Sequence, residues 1–310
     1  MPAFHVARSI VIQRPPEEVF DTVVDYNTWT SWSPWLGIDK EASVTVNGDG
    51  TSLGSTYSWD GELVGAGEME HAEQSRPSFI EDQLRFTKPF KSESGVRFDL
   101  QPVDGGTELT WHMDGSLPWF MFWMLSSMET FIGMDYERGL RMIRDRLEKG
   151  SVPSEVVVLG IESTPPMHVC GVHDNCPMKD VGPAMGKAFS AVESAFEKHG
   201  LSTDGEMISV YHPMPLKKGR FDFTSGYTVD DAAAASRSGL AHCELPAAQS
   251  LHIRHVGSYD HLGNAWSGAH QYARYKKLKL AKGDAFEIYR NDPSQTAEAD
   301  LITDVYIPLK

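Results

Sequence analysis

The sequence predicts an α+β chain of two domains, and three observations lead there. A series of short alternating strands closes on one long amphipathic helix ending near Lys149. Beyond it, a strand-helix-strand-strand pattern occurs twice at an offset of 78 residues. Residue usage also changes: seven of eight tryptophans lie at or before Trp123, whereas all three cysteines and nine of twelve histidines follow residue 150. A chain of 310 residues is long enough to bury two cores. Glu148-Lys149-Gly150-Ser151-Val152-Pro153-Ser154 reads as a helix stop followed by a connector, which places domains at 1–150 and 151–310.

The first domain opens with an alternating strand from Phe4 to Ile12. Pro15-Pro16-Glu17-Glu18 then reads as a helix start, because proline and acids suit the first turn. Val19, Phe20, Val23 and Val24 give that helix an apolar face. Short strands follow, punctuated by Asn47-Gly48-Asp49-Gly50, Asp60-Gly61 and the hairpin turn Asp104-Gly105-Gly106. In the closing helix Ile132, Tyr136, Leu140, Ile143 and Leu147 recur at spacings of 4, 4, 3 and 4. Glu137/Arg141, Arg141/Asp145 and Arg144/Glu148 supply i,i+4 pairs on its other side.

This order of elements, with Pro-Pro-Glu-Glu-Val-Phe at its start and Gly-Met-Asp-Tyr-Glu-Arg-Gly-Leu at its end, resembles the SRPBCC (START-like, polyketide-cyclase-like) superfamily over residues 3 to 149. The resemblance implies a helix-grip fold with an apolar cavity between helix and sheet. Trp29, Trp32, Trp35, Trp59, Trp111, Trp119 and Trp123 are candidates to line it or to fill the core. No catalytic constellation is evident in this half.

In the second domain Gly205-Glu206-Met207-Ile208-Ser209-Val210-Tyr211 has the pattern of Gly283-Asp284-Ala285-Phe286-Glu287-Ile288-Tyr289. Gly186 to Ser190 matches Gly263 to Ser267 at offset 77, and Thr224 to Tyr227 matches Thr303 to Tyr306 at offset 79. Each copy reads as β-α-β-β. Its helix carries Met185, Phe189, Val192 and Phe196 in the first copy, with Gly200 as the stop, and Leu262, Trp266, Ala269 and Ala273 in the second. Units this small must pack together, leaving a concave seam between them.

Within AFEIY, strand alternation puts Phe286 and Ile288 on one face and Glu287 with Tyr289 on the other. Ser209 occupies the position of Glu287 in the first copy, so the acid is not a shared structural requirement. An ionisable group in an apolar concavity is a candidate functional residue. Trp266, Tyr289, Tyr227, Tyr306, His255 and Tyr259 are the candidates to surround it. Each also has an ordinary reading, as core or surface.

Phe286-Glu287-Ile288-Tyr289-Arg290-Asn291-Asp292-Pro293, followed by Leu301 to Pro308, resembles the GyrI-like, AraC-type effector-binding domain over residues 155 to 310. The resemblance implies two β-α-β-β modules around a groove. In it, an acid at the Glu287 position meets cationic or polar-aromatic ligands among aromatic walls, and the domain senses or sequesters hydrophobic, possibly cationic compounds. Some relatives instead hydrolyse cyclopropane-containing toxins, which would make Glu287 an acid or base assisted by Tyr289. Gyrase-inhibitor relatives suggest a protein partner as a third reading. Many relatives join this domain to a helix-turn-helix DNA reader, whereas here the attached domain resembles a second small-molecule binder.

Other classes are disfavoured. A net charge of -15 without any Lys/Arg-rich run argues against nucleic-acid binding. MPAFHVARSIVIQRPP lacks the layout of a signal peptide, and no stretch approaches the ~18 apolar residues of a membrane span. The most apolar segment, Trp119 to Leu125, is too short. Cys170, Cys176 and Cys243 form no CxxC pair, which suits a reducing cytoplasm. His252, His255 and His261 do not have ligand spacing and Gly-x-Ser-x-Gly is absent, so neither a metal, a cofactor nor a serine-hydrolase elbow is expected.

Overall fold

The computed structural model describes residues 3–117, 119–215, 218–230 and 238–310. The side chains of Met121, Phe122 and Met124, part of the most apolar segment, lie outside the described set. The chain divides into two compact units, Met1–Pro153 and Ser154–Lys310.

The first unit is a seven-stranded antiparallel sheet in the order β1-β7-β6-β5-β4-β3-β2. Its strands are β1 (Ala3–Ile12), β2 (Ser43–Asn47), β3 (Thr56–Gly61), β4 (Gly65–Ser75), β5 (Phe79–Lys88), β6 (Ser92–Val103) and β7 (Gly106–Ser116). Gly105, with φ of +82°, makes the β6–β7 turn in the backbone region where glycine carries no steric penalty. Helix α1 (Pro16–Val24) has proline and two acids in its first turn and buries Val19, Phe20, Val23 and Val24. Helix α2 (Leu125–Lys149) packs along β1 and buries Tyr136, Leu140 and Ile143.

The tryptophans divide between core and surface. Trp29, Trp32 and Trp111 are buried in the core, with Trp111 stacked on Tyr136 of α2 at 4.1 Å. Trp35 and Trp59 pack against its margin. Trp119 and Trp123 are 75% and 69% exposed, so neither belongs to the interior. On α2, Glu137 is drawn to Arg8 of β1, and buried Asp145 to Arg144 and Lys149.

The second unit is an eight-stranded antiparallel sheet in the order β12-β9-β11-β10-β14-β15-β13-β8. After β8 (Ser154–Thr164), the elements run β9 (Met167–Pro177), α3 (Val181–His199), β10 (Met207–Tyr211) and β11 (Arg220–Thr228). Strand β12 (Ala241–Leu245) precedes β13 (Ala248–Gly257), α4 (Gly263–Tyr275), β14 (Ala285–Tyr289) and β15 (Ile302–Pro308). Gly200 ends α3 in the left-handed conformation, with Leu201 N–H closing on Phe196 O. Helix α3 packs on β9 and β11, and α4 on β13, β8 and β15. The central pair β10–β14 is therefore the floor between the two helices.

Candidate functional site

Strand β14 is short and central, and both of its faces are buried. Phe286 and Ile288 enter an apolar cluster with Ile208, Val210 and Tyr306. Alternation then turns Glu287 and Tyr289 toward the helices. Ser209 of β10 is the direct cross-strand partner of Glu287, and Met207 that of Tyr289.

Glu287 is 1% exposed, and three side chains donate to its carboxylate. Trp266 Nε1 on α4 donates to Oε1 at 2.5 Å. Tyr289 and Tyr211 hydroxyls donate to Oε2 at 2.7 and 3.0 Å. Tyr289 Oη also lies 3.2 Å from Ser209 Oγ, which lies 2.7 Å from Ser225 Oγ. A phenol has one proton, and here it goes to the carboxylate, so Ser209 donates to Tyr289 and Ser225 to Ser209. Every proton in this chain points toward Glu287.

Aromatic rings complete the surround in edge-to-face contacts. Tyr211 meets Trp266 at 5.1 Å, while Tyr289 meets Tyr259 at 5.5 Å and Phe189 at 5.6 Å. Met185 of α3 presents its sulfur to both site phenols. Among the described residues, no lysine, arginine or histidine pairs with the acid.

Burial pushes the Glu287 carboxyl above its ordinary range, and the donors from Trp266, Tyr289 and Tyr211 pull against that rise without cancelling it. Burial, reinforced by the nearby Glu287 charge, also raises the phenols of Tyr211 and Tyr289 and pushes Tyr259 up to about 12. The phenols therefore remain proton donors.

The structure brings together Glu287, Trp266, Tyr289 and Tyr259. Tyr227 shares their face of the sheet, but its hydroxyl donates to Glu193 at 2.9 Å and its ring packs against Phe189 and Phe196. Tyr306 points to the opposite face, stacked between Phe286 and His252 with its hydroxyl accepting from Arg290. The offset of 79 that equated Tyr227 with Tyr306 is thus out of register. Tyr227 pairs with Met207, and Tyr306 with Phe286, so the two tyrosines lie on opposite faces of the sheet. A shift of one residue on a strand exchanges its faces.

His255 lies on the helix-facing side but away from the acid, fully buried and 3.0 Å from Ser154 Oγ. Tyr211, Ser209, Ser225, Met185 and Phe189 are site residues that the sequence had not singled out. For Tyr211 a signal existed, because offset 78 aligns it with Tyr289.

Comparison with known proteins follows this division. Residues 160–310 match the family model of the GyrI-like small molecule binding domain. Residues 3–148 match the model described as polyketide cyclase / dehydrase and lipid transport. The two halves of the chain thus match two different families. The match over the C-terminal half supports small-molecule binding. No curated protein matches the chain significantly.

Similar solved structures each span about half of it. Protein CV1439 from Chromobacterium violaceum is 15% identical, covering 46% of this chain and 96% of its own, with a TM-score of 0.37. SAV2435 bound to tetraphenylphosphonium is 13% identical, covering 48% and 92%, with a TM-score of 0.39. The Aha1 dimer from Colwellia psychrerythraea is 17% identical, covering 47% and 98%, with a TM-score of 0.35. Among the described residues, no helix is long and apolar enough to cross a membrane.

Proposed function

We propose that the GyrI-like half senses or sequesters hydrophobic cations, with Glu287 as the charge that selects them. The supporting observation is a fully buried carboxylate held by three neutral donors and ringed by aromatic side chains, with no cation beside it among the described residues. An ionised carboxylate without a counter-charge is costly in such surroundings. A ligand with diffuse positive charge would offset that cost and meet the ring faces of Trp266, Tyr211, Tyr259 and Tyr289. Entry requires Trp266, which is only half-buried, to swing off the carboxylate. The free cysteines make a reducing cytoplasm part of this reading.

Calorimetry on the full chain tests it with tetraphenylphosphonium and its anionic counterpart tetraphenylborate. The cation should bind, the anion should not, and Glu287→Gln should weaken the cation by about 100-fold, the scale of a lost buried charge interaction. Equal binding by wild type and variant would overturn the reading.

A hydrolytic reading rests on the contact between Tyr289 and the same carboxyl whose proton affinity burial raises. Glu287 would then give its proton to the atom that leaves as the strained bond opens, water would form the new C–O bond, and the carboxylate would take back the proton that the water loses. Mass spectrometry separates the two: a bound compound is recovered unchanged, whereas a hydrolysed one gains one water.

A further inference from the structure

Away from Glu287, three potential metal ligands converge where the sheet ends. β12 is an edge strand paired with β9, and β11 and β10 separate this pair from β14. Register places Glu244 opposite His168, and His242 opposite Cys170. Residues two apart on a strand share a face, so His168, His242 and Glu244 all project from the same side. One ligand atom from each lies within 4.8 Å of the other two. The His168 and His242 rings are stacked at 5.4 Å, with 20° between their planes.

The nitrogens are unsatisfied in a way a simple surface cluster does not require. His168 Nδ1 and His242 Nε2 are both shielded from solvent, and neither makes a hydrogen bond among the described residues. Glu244 Oε1 stands 3.7 Å from His168 Nδ1, beyond hydrogen-bond reach. An ion bound at about 2.1 Å to each donor in tetrahedral geometry would set the donors about 3.4 Å apart. The His168 to Glu244 separation is already close to that. Side chains that are 44% and 71% exposed have the freedom to close the remainder.

We propose that His168, His242 and Glu244 form a site for a borderline divalent transition metal, Zn2+ in particular. Two imidazoles and a carboxylate suit such an ion and are a poor set for Mg2+ or Ca2+, which favour oxygen donors alone. Three protein ligands leave the fourth tetrahedral position to water or a small donor. Because the ligands come from both strands, the ion would clip edge strand β12 to β9. Binding to the folded state alone would then stabilise it in proportion to metal concentration.

The experiment uses the full chain, stripped of metal with a chelator and titrated with Zn2+ by calorimetry, with Co2+ absorption reporting coordination geometry. One equivalent should bind, melting temperature should rise, and the Co2+ spectrum should show tetrahedral bands. His168→Gln and His242→Gln should each weaken Zn2+ by about tenfold or more, roughly 1.4 kcal/mol. Glu244→Gln, at a side chain that is 71% exposed, provides a variant with little folding risk and should weaken it as well. Glu287→Gln should leave Zn2+ binding unchanged. No saturable binding by the wild type, or undiminished binding by the His168→Gln/His242→Gln double variant, would overturn the proposal.

Discussion

Ser209 and Glu287 face each other directly across β10 and β14, and the hydroxyl of one reaches the carboxylate of the other through Tyr289. The charge therefore sits on one strand of the central pair while part of its hydrogen-bond support comes from the other. Substitutions along this chain should act in graded fashion.

Tyr289→Phe removes the shorter of the two phenol contacts to Glu287 Oε2. Hydrogen bonds to a charged group contribute about 1.5–3 kcal/mol, so losing the Tyr289 donor should make the carboxyl titrate higher still in the variant. Ser209→Ala acts only through Tyr289 and should shift it less. Calorimetric affinity for tetraphenylphosphonium, measured across pH, reads both shifts as upward displacement of the midpoint.

In the wild type, cation affinity should rise with pH and level off above the folded-state pKa of Glu287. The folded pKa is raised above the ordinary 4.5, so between the two values the folded protein keeps a proton that the unfolded chain has lost. The Glu287 contribution to stability is consequently present at low pH and lost as pH rises through that window. Denaturant midpoints of wild type and Glu287→Gln across pH should show a slope in the first that is missing in the second.

His255 should give the opposite slope. Burial and neighbouring His261 push its imidazole down from 6.5 to about 4, so its neutral form is favoured in the fold. Stability is fully present above 6.5 and falls as acid drives pH toward about 4. The loss is roughly 3 kcal/mol, following from about 1.4 kcal/mol per unit. His255→Gln, which retains a polar group for Ser154, should flatten this part of the unfolding profile.

Asp304 tests the opposite face of the sheet. It is fully buried, bound by Arg254 Nε and Nη2 at 2.7 and 2.8 Å and by Arg290 at 2.6 Å, and its strand partner is Ile288. Asp304→Asn would take away the carboxylate of Arg254 and leave Arg290 with the Glu206 carboxylate alone, and should cost about 3 kcal/mol in chemical denaturation. Cation affinity of the folded fraction should hardly change, because Glu287 points the other way.

Much of the architecture was legible from local pattern. The apolar spacing of Tyr136, Leu140 and Ile143 placed α2, Asp104-Gly105 placed the β6–β7 turn, and alternation in AFEIY separated Glu287 from Phe286 and Ile288. Strands β8 and β12, the edges of the second sheet, were not read in advance. Each lies outside the strand-helix-strand-strand pattern that recurs in the sequence.

The sequence by itself determined the two family resemblances, the main helices and the face of β14 on which Glu287 lies, because periodicity and turn chemistry act between residues close in the chain. Tertiary structure alone decided which side chains meet the acid, that Tyr306 turns away, and that His168 meets His242 and Glu244. Those outcomes depend on the register between distant strands, where a slip of one residue exchanges faces. Register is settled only when the whole sheet closes and both its surfaces are buried.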